Sequence, residues 1–376
     1  AASDVYKRQV VVADPSNGEI LGMASYPTFN LNDPRKLTGM YTDEEIKDMS
    51  DEEYRNNLYS LWTNYCVSES YEPGSTFKPV TVASALEEGV VKDGDTYVCK
   101  GFETVADYKL KCHVFSTIGS HGSLTVEQAL MNSCNPYMIH LALEMGNSRF
   151  AYYQSLFGFG KITGIDLPGE TTGIVYGDRM TTIDAACNSF GQTINVNMMQ
   201  MMAAYCSIIN GGMLYQPHIV KRIESANGEV VKEYKANLVR QTITASTSKL
   251  LRRYLKNTVE EGTAKKAGVT GYSVAGKTGT AQKGDRKDNK WIISFIGHAP
   301  AENPKFAIYV VIDEPYGTTG TSGSSADVLT LTHNILEKLL PYMNVYKDAS
   351  DEYEDTSSSP DELTVDGIPA GTASSN

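Results

Sequence analysis

The sequence predicts an α+β fold, an α/β sandwich in which an antiparallel sheet is built from both chain ends with helices on both sides. Three observations predict it. Two apolar strands joined by a turn open the chain, three more strands close it, and a mostly helical subregion spans about residues 75–262. Strands from the two ends can cover each other's edges, and the helices between them can cover the apolar sheet faces.

Residues 9–13 read as the first strand. Asp14-Pro15-Ser16-Asn17-Gly18 has turn chemistry, and residues 19–25 return. Residues 1–8 contain no signal-peptide core and are expected to be non-native or disordered. Residues 36–64 are acid-rich and read mainly as a surface excursion, with a short helix across 42–56. Tyr71-Glu72-Pro73-Gly74 is a turn, followed by a helix over 75–87. Residues 97–114 read as a hairpin turning at 103–107. Helices follow at 125–132, 136–144 and 150–157.

Residues 195–210 form a Met-rich helix stopped by Gly211-Gly212. Methionine fills irregular core gaps, so this string reads as core rather than as a metal site. Leu250, Leu251, Tyr254, Leu255, Thr258 and Val259 recur at helical spacing within 246–261. Residues 272–281, 291–299 and 306–312 are the closing strands. A last helix over 327–340 is halted by Pro341. One folded domain is expected over 9–346 and an acidic disordered tail over 347–376.

Composition excludes several functions. With 41% hydrophobic and 21% charged residues the chain is neither disordered, collagenous nor a coiled coil. Its net charge is −12, and residues 348–376 hold eight acids and no base. A nearly neutral body with an acidic tail argues against a dedicated nucleic-acid binder. The longest apolar run, residues 306–312, is too short to span a bilayer. Six cysteines and six histidines form no C-x-x-C pair, no H-E-x-x-H and no mixed tetrad in sequence, so neither metal nor cofactor is expected.

Three short motifs carry the chemistry. Ser75-Thr76-Phe77-Lys78 places a hydroxyl and an amine on one helix face at i and i+3. Pro79 is tolerated only near a helix start, so Ser75 should sit by the positive helix end. Alone, S-x-x-K is an ordinary first helical turn. Ser133-Cys134-Asn135 falls at a break between helices, where an extended or loop backbone would point Ser133 and Asn135 the same way. Alone, it is a helix cap. Lys277-Thr278-Gly279-Thr280 lies on a late strand, with Thr278 and Thr280 on one face and Gly279 leaving the other face bare. Alone, it is a bulge glycine.

In this order the three are far more specific than any one. S-x-x-K, a middle serine motif and K-T-G mark penicillin-binding proteins and class A β-lactamases. The chain resembles the transpeptidase domain of class B penicillin-binding proteins, of the Gram-positive division and sporulation type. The segments YEPGSTFKP, NSCN and AGKTGTA look like that family's three motifs, and GIDLPGE, Gly191-Gln192 and Asn210-Gly211-Gly212 also fit. The resemblance covers about residues 9–340.

What the resemblance implies is a serine D,D-transpeptidase with the penicillin-binding-protein/β-lactamase-like fold. Ser75 is its nucleophile and Lys78 its general base. Ser133 relays a proton, Asn135 holds Lys78 and the substrate amide, and Lys277 adds positive potential that holds down the pKa of Lys78. Thr278, Gly279 and Thr280 bind substrate or β-lactam, and the backbone N–H groups of Ser75 and Thr280 form the oxyanion hole. No cofactor and no metal are implied. The expected partners are peptidoglycan stem peptides, as D-Ala-D-Ala donor and amine acceptor, β-lactam antibiotics, and a SEDS-type glycosyltransferase through an N-terminal region. The family acts at the extracytoplasmic face of the bacterial membrane. A D,D-carboxypeptidase, a β-lactam-binding sensor and a β-lactamase using Glu170 are the alternatives. Relatives also carry paired cysteines, so Cys99 and Cys112 are either a disulfide or two reduced neighbours. Cys134 should face away from its neighbours' site. Cys66, Cys187 and Cys206 are expected in the core.

Overall fold

The computed structural model describes residues 7–37, 41–284, 290–315 and 324–348. The chain opens with β1 (Lys7–Ala13) and β2 (Ile20–Tyr26). Helices α1 (Asp43–Asp48), α2 (Asp51–Trp62) and α3 (Tyr65–Ser68) lead to a 3-10 turn over Gly74–Phe77 and then to α4 (Lys78–Glu88). Four short strands follow: β3 (Thr96–Cys99), β4 (Phe102–Val105), β5 (Tyr108–Lys111) and β6 (Gly122–Thr125). Next come α5 (Val126–Met131), α6 (Asn135–Met145), α7 (Asn147–Leu156), α8 (Thr182–Asn188) and α9 (Met198–Ile209). Two small ribbons, from β7 (Met213–Tyr215), β8 (Arg222–Glu224), β9 (Val230–Glu233) and β10 (Leu238–Gln241), precede α10 (Ala245–Glu260). β11 (Ala275–Lys283), β12 (Lys290–Ala299), β13 (Phe306–Asp313) and α11 (Ala326–Tyr342) complete the described fold.

The main sheet has the order β11-β12-β13-β1-β2, and every pairing is antiparallel. The two chain ends therefore meet at β1 and β13, as the alternation of apolar strands and helices predicts. β13 is buried on both faces, which is why it reads as an unbroken apolar run. Its side chains divide by parity. Ile308, Val310 and Ile312 join a core with Val328, Leu336 and Leu340 of α11. Ala307, Tyr309 and Val311 face the larger core of the helical region. Each fully buried branched side chain contributes roughly 1.5–3 kcal/mol.

Helix ends follow their caps. Asn197 and Gln200 form a capping box that starts α9, and its methionines are buried. Thr244 caps α10, whose buried face carries Leu251, Tyr254, Leu255, Thr258 and Val259. α11 keeps Val328, Thr332, Leu336 and Leu340 buried at i+4 spacing and runs one residue past Pro341.

Several expectations are corrected. β1 begins at Lys7, which pairs with Asp313, so Lys7 and Arg8 belong to the sheet. The acid-rich stretch is not mainly an excursion. Thr42 and Ser50 cap α1 and α2 with acids in their first turns, and Leu37, Leu58 and Leu61 form a small core of their own. The hairpin over 97–114 is split. β4 pairs with β5 around the expected turn, but β3 pairs with β6. α7 starts at Asn147, because Gly146 with its positive φ ends α6. The tail from residue 349 and residues 1–6 lie outside the described residues.

Candidate active site

The Ser75–Lys78 motif lies on a 3-10 turn that feeds α4, not on the α-helix expected from Ser75. The difference preserves the chemistry, since side chains three apart eclipse in a 3-10 turn. Ser75 and Lys78 thus still share a face. The turn is held from three sides. Thr76 donates to the Pro73 carbonyl at 2.7 Å, and Tyr71 donates to Tyr309 on β13 at 2.8 Å. The Gly74 N–H donates to the Gly191 carbonyl at 2.9 Å. Gly191 has φ +80, and a Cβ there would stand 2.0 Å from the Gly74 oxygen, so only glycine permits this backbone contact.

Lys78 is fully buried. Its ammonium donates to the Ser133 carbonyl at 2.6 Å, to Ser133 Oγ at 3.0 Å and to Asn135 Oδ1 at 2.7 Å, which uses all three of its protons. Ser133 Oγ in turn lies 3.0 Å from Ser75 Oγ. The first two motifs therefore form one chain of atoms, from the Ser75 hydroxyl to the Lys78 amine through Ser133. Burial pulls the Lys78 amine down to about 8.

Ser133 makes its contacts from a left-handed turn, at φ 56, the loop alternative to an extended backbone. A serine in this region carries strain, of the kind that accumulates at functional sites. Asn135 is the first residue of α6, Cys134 is its extended N-cap, and Pro136 lies in the first turn. Cys134 is fully buried, and its thiol lies among those of Cys99 and Cys112.

The third motif lies on β11, the edge strand of the sheet. Gly279 lets the Gly74–Phe77 turn rest on it. A Cβ there would stand 2.5 Å from Ser294 Oγ and 2.8 Å from the Pro73 carbonyl. A Cβ on Gly74 would similarly meet the Thr280 carbonyl at 2.5 Å, so Ser75 sits one residue from contact with the Thr280 backbone. Lys277 is fully buried and donates to the Thr278 carbonyl at 3.2 Å. Burial first, then the charge of Lys78, hold its amine well below the ordinary lysine range. The expected influence runs the other way: the charge of Lys78 lowers Lys277, whereas Lys78 itself is lowered by burial.

Thr263 was not legible as a site residue. Its hydroxyl lies 3.5 Å from Lys277 Nζ and 3.4 Å from Thr278 Oγ1. The one sequence signal was its place just after the Gly262 helix stop. Beyond Thr280 the β11 edge runs into an open cleft lined by Glu69, Glu72, Gln192, Gln282, Lys283 and Asp313. Glu170 is occupied elsewhere: its carboxylate accepts from the N–H and hydroxyl of Thr163 at 2.7 Å and from the Gly164 N–H at 3.0 Å. All six cysteines are free thiols, Cys99 and Cys112 included. Cys66 and Cys206 are buried and Cys187 half-buried.

Comparison with known proteins gives the same direction. A family model described as the penicillin binding protein transpeptidase domain matches residues 9–337. Stage V sporulation protein D of Bacillus subtilis is 39% identical over 341 residues, which cover 89% of this chain and 49% of the relative. The peptidoglycan D,D-transpeptidase FtsI of Escherichia coli K12 is 31% identical, over 90% of this chain and 52% of its own. The chain thus spans about half the length of the curated relatives it matches. The D,D-transpeptidase domain of a peptidoglycan glycosyltransferase from Eggerthella lenta superposes with a TM-score of 0.77 at 28% identity, covering 92% of this chain and 80% of that one. Penicillin binding protein 3 from Mycobacterium tuberculosis, solved with aztreonam, has a TM-score of 0.76 at 28% identity, covering 92% and 75%. Among the described residues no helix is long and apolar enough to cross a membrane.

Proposed function

This chain belongs to the penicillin-binding protein transpeptidase family, and from that premise we propose that it is the catalytic domain of a peptidoglycan D,D-transpeptidase. The observation that carries the reading is the continuous path from Ser75 Oγ through Ser133 Oγ to the buried Lys78 amine, with both steps 3.0 Å. In the resting arrangement the ammonium donates to Ser133 and Ser133 donates to Ser75. When Lys78 loses its proton the direction reverses, and Ser75 can pass its proton towards the amine.

Ser75 Oγ then attacks the carbonyl carbon between two D-alanines of a stem peptide. The oxyanion is received by the backbone N–H groups of Ser75 and Thr280. The C–N bond breaks, the terminal D-alanine leaves with a proton returned through Ser133, and an ester to Ser75 remains. An amine of a neighbouring strand attacks that ester, gives up a proton by the same route and frees Ser75. The donor peptide pairs along the free edge of β11, with Thr278 and Thr280 at its carboxylate and Lys277 supplying positive potential nearby. A β-lactam opened by Ser75 keeps its leaving group tethered, which leaves the acyl-enzyme standing.

The full-length protein is placed by this reading at the extracytoplasmic face of the membrane, where stem peptides are. A SEDS-type glycosyltransferase is its expected partner, through sequence outside this chain. The testing experiment supplies a D-Ala-D-Ala stem peptide with an amine acceptor and separates the products. Cross-linked dimer, absent with Ser75→Ala, is the expected result. Trimmed peptide alone would make the protein a D,D-carboxypeptidase, and no turnover with persistent β-lactam labelling would make it a sensor. The engagement of both Glu170 oxygens in loop hydrogen bonds speaks against a β-lactamase.

A further inference from the structure

We propose that Cys99, Cys112, His121 and Cys134 hold one zinc ion directly behind the active site, and that this ion fixes the position of Ser133 and Asn135. The three sulfurs and the His121 ring nitrogen all lie within 4.8 Å of one another. His121 Nδ1 is 3.5 Å from Cys112 Sγ and 3.8 Å from Cys99 Sγ. A tetrahedral zinc with its usual bond lengths sets sulfur–nitrogen edges of about 3.6 Å and sulfur–sulfur edges of about 3.8 Å. The two His121–sulfur distances match those edges, and every other pair of ligand atoms falls within 4.8 Å, so one ion can be reached by all four.

The donor set and its surroundings point to this ion. Three thiolates and an imidazole suit zinc, and oxygen-seeking magnesium or calcium would not choose them. Cys99, Cys112 and Cys134 are almost completely buried and His121 is half-buried, so the site is closed and its role structural. Backbone donors stand around the sulfurs, as they do around zinc-bound thiolates. The Gly101 N–H donates to Cys99 Sγ at 3.4 Å, the Asn135 N–H to Cys112 and the Tyr137 N–H to Cys134. His113 Nδ1 lies 3.8 Å from Cys112 Sγ and completes that surrounding shell. A Cys99–Cys112 disulfide would use two of the four converging groups and leave Cys134 and His121 facing it without purpose.

The four ligands come from separate stations: the end of β3, the residue after β5, the approach to β6 and the N-cap of α6. The ion would tie all of them to the α5–α6 connection. Cys134 lies between the two residues that bind Lys78, one of them in a strained left-handed backbone. Pinning Cys134 from behind keeps Ser133 Oγ and Asn135 Oδ1 on the amine. This positioning consequence rests on the transpeptidase reading, but zinc binding itself does not.

The first test is metal analysis of the whole chain, purified under reducing conditions and given one equivalent of zinc. One tightly held zinc per chain is expected, with protons released on binding. Cobalt in its place should give the intense visible bands of a tetrahedral thiolate site. Ser75→Ala should bind zinc fully and Cys112→Ser should lose it, so the metal and the chemistry can fail independently. Wild-type protein that is folded, reduced and metal-free after zinc addition would overturn the site. The second test strips the ion with a chelator. Acylation by benzylpenicillin should slow at least roughly tenfold and recover when zinc is restored. Unchanged acylation in demonstrably zinc-free protein would overturn the positioning role.

Discussion

The acylation rate should follow the protonation of Lys78, and its size can be worked from the site. Burial brings the Lys78 amine down to about 8. The amine can accept the Ser75 proton only when neutral, so the rate rises with pH and levels off above that value. At pH 7 only about one molecule in ten is in the competent form, and each further unit downward costs about tenfold. From a plateau near pH 9 to pH 6 the second-order rate constant for acylation should fall about a hundredfold. Stopped-flow measurement with a chromogenic cephalosporin across that range reads it directly. Stability shows the same group with a worked sign. The folded amine titrates below its unfolded value of 10.5, so between about pH 8 and pH 10.5 the unfolded chain binds more protons and stability rises with pH. Below that window the burial cost of about 3 kcal/mol is fully present. A flat rate profile between pH 6 and pH 9, or an inflection near the ordinary lysine value, would refute Lys78 as the buried base.

Other consequences are narrower. Ser133→Ala removes the atom between nucleophile and amine, and should cut acylation by on the order of 10²–10⁴ while leaving the far-ultraviolet spectrum unchanged. Gly191→Ala forces a methyl to within 2.0 Å of the Gly74 carbonyl, and thermal unfolding should show a loss of at least about 1–3 kcal/mol. Glu170→Gln should weaken the loop by about 1 kcal/mol, yet leave the lifetime of a penicillin adduct unchanged; a longer lifetime would assign Glu170 a part in deacylation.

How much was legible in the sequence depended on how local each signal was. Lys78 follows Ser75 by three residues, a spacing that faces one side in either an α-helix or a 3-10 turn, so the pair survived a wrong assignment of helix type. The strands of the main sheet were legible because β12 and β13 are buried on both faces over most of their length and are correspondingly rich in apolar residues. The capping box at Thr42 and the cap at Ser50 were present in the letters, but the abundance of acids outweighed them. Tertiary pairing was less accessible. Nothing near Cys99 indicates that β3 will pair with β6 instead of with the strand before Cys112. That pairing brings His121 beside the sulfurs, so a four-ligand cluster formed by distant residues left no C-x-x-C trace. Thr263 was hidden for the same reason, since its partners lie on β11.

In the proposed mechanism Ser75 is a nucleophile activated through Ser133 and Lys78. Intact-mass analysis after incubation with benzylpenicillin, with peptide mapping of the product, tests it most directly. One adduct is expected on wild-type protein, located on Ser75, persisting for hours and missing from Ser75→Ala. Absence of any adduct on folded wild-type protein, or an adduct that Ser75→Ala retains, would contradict it.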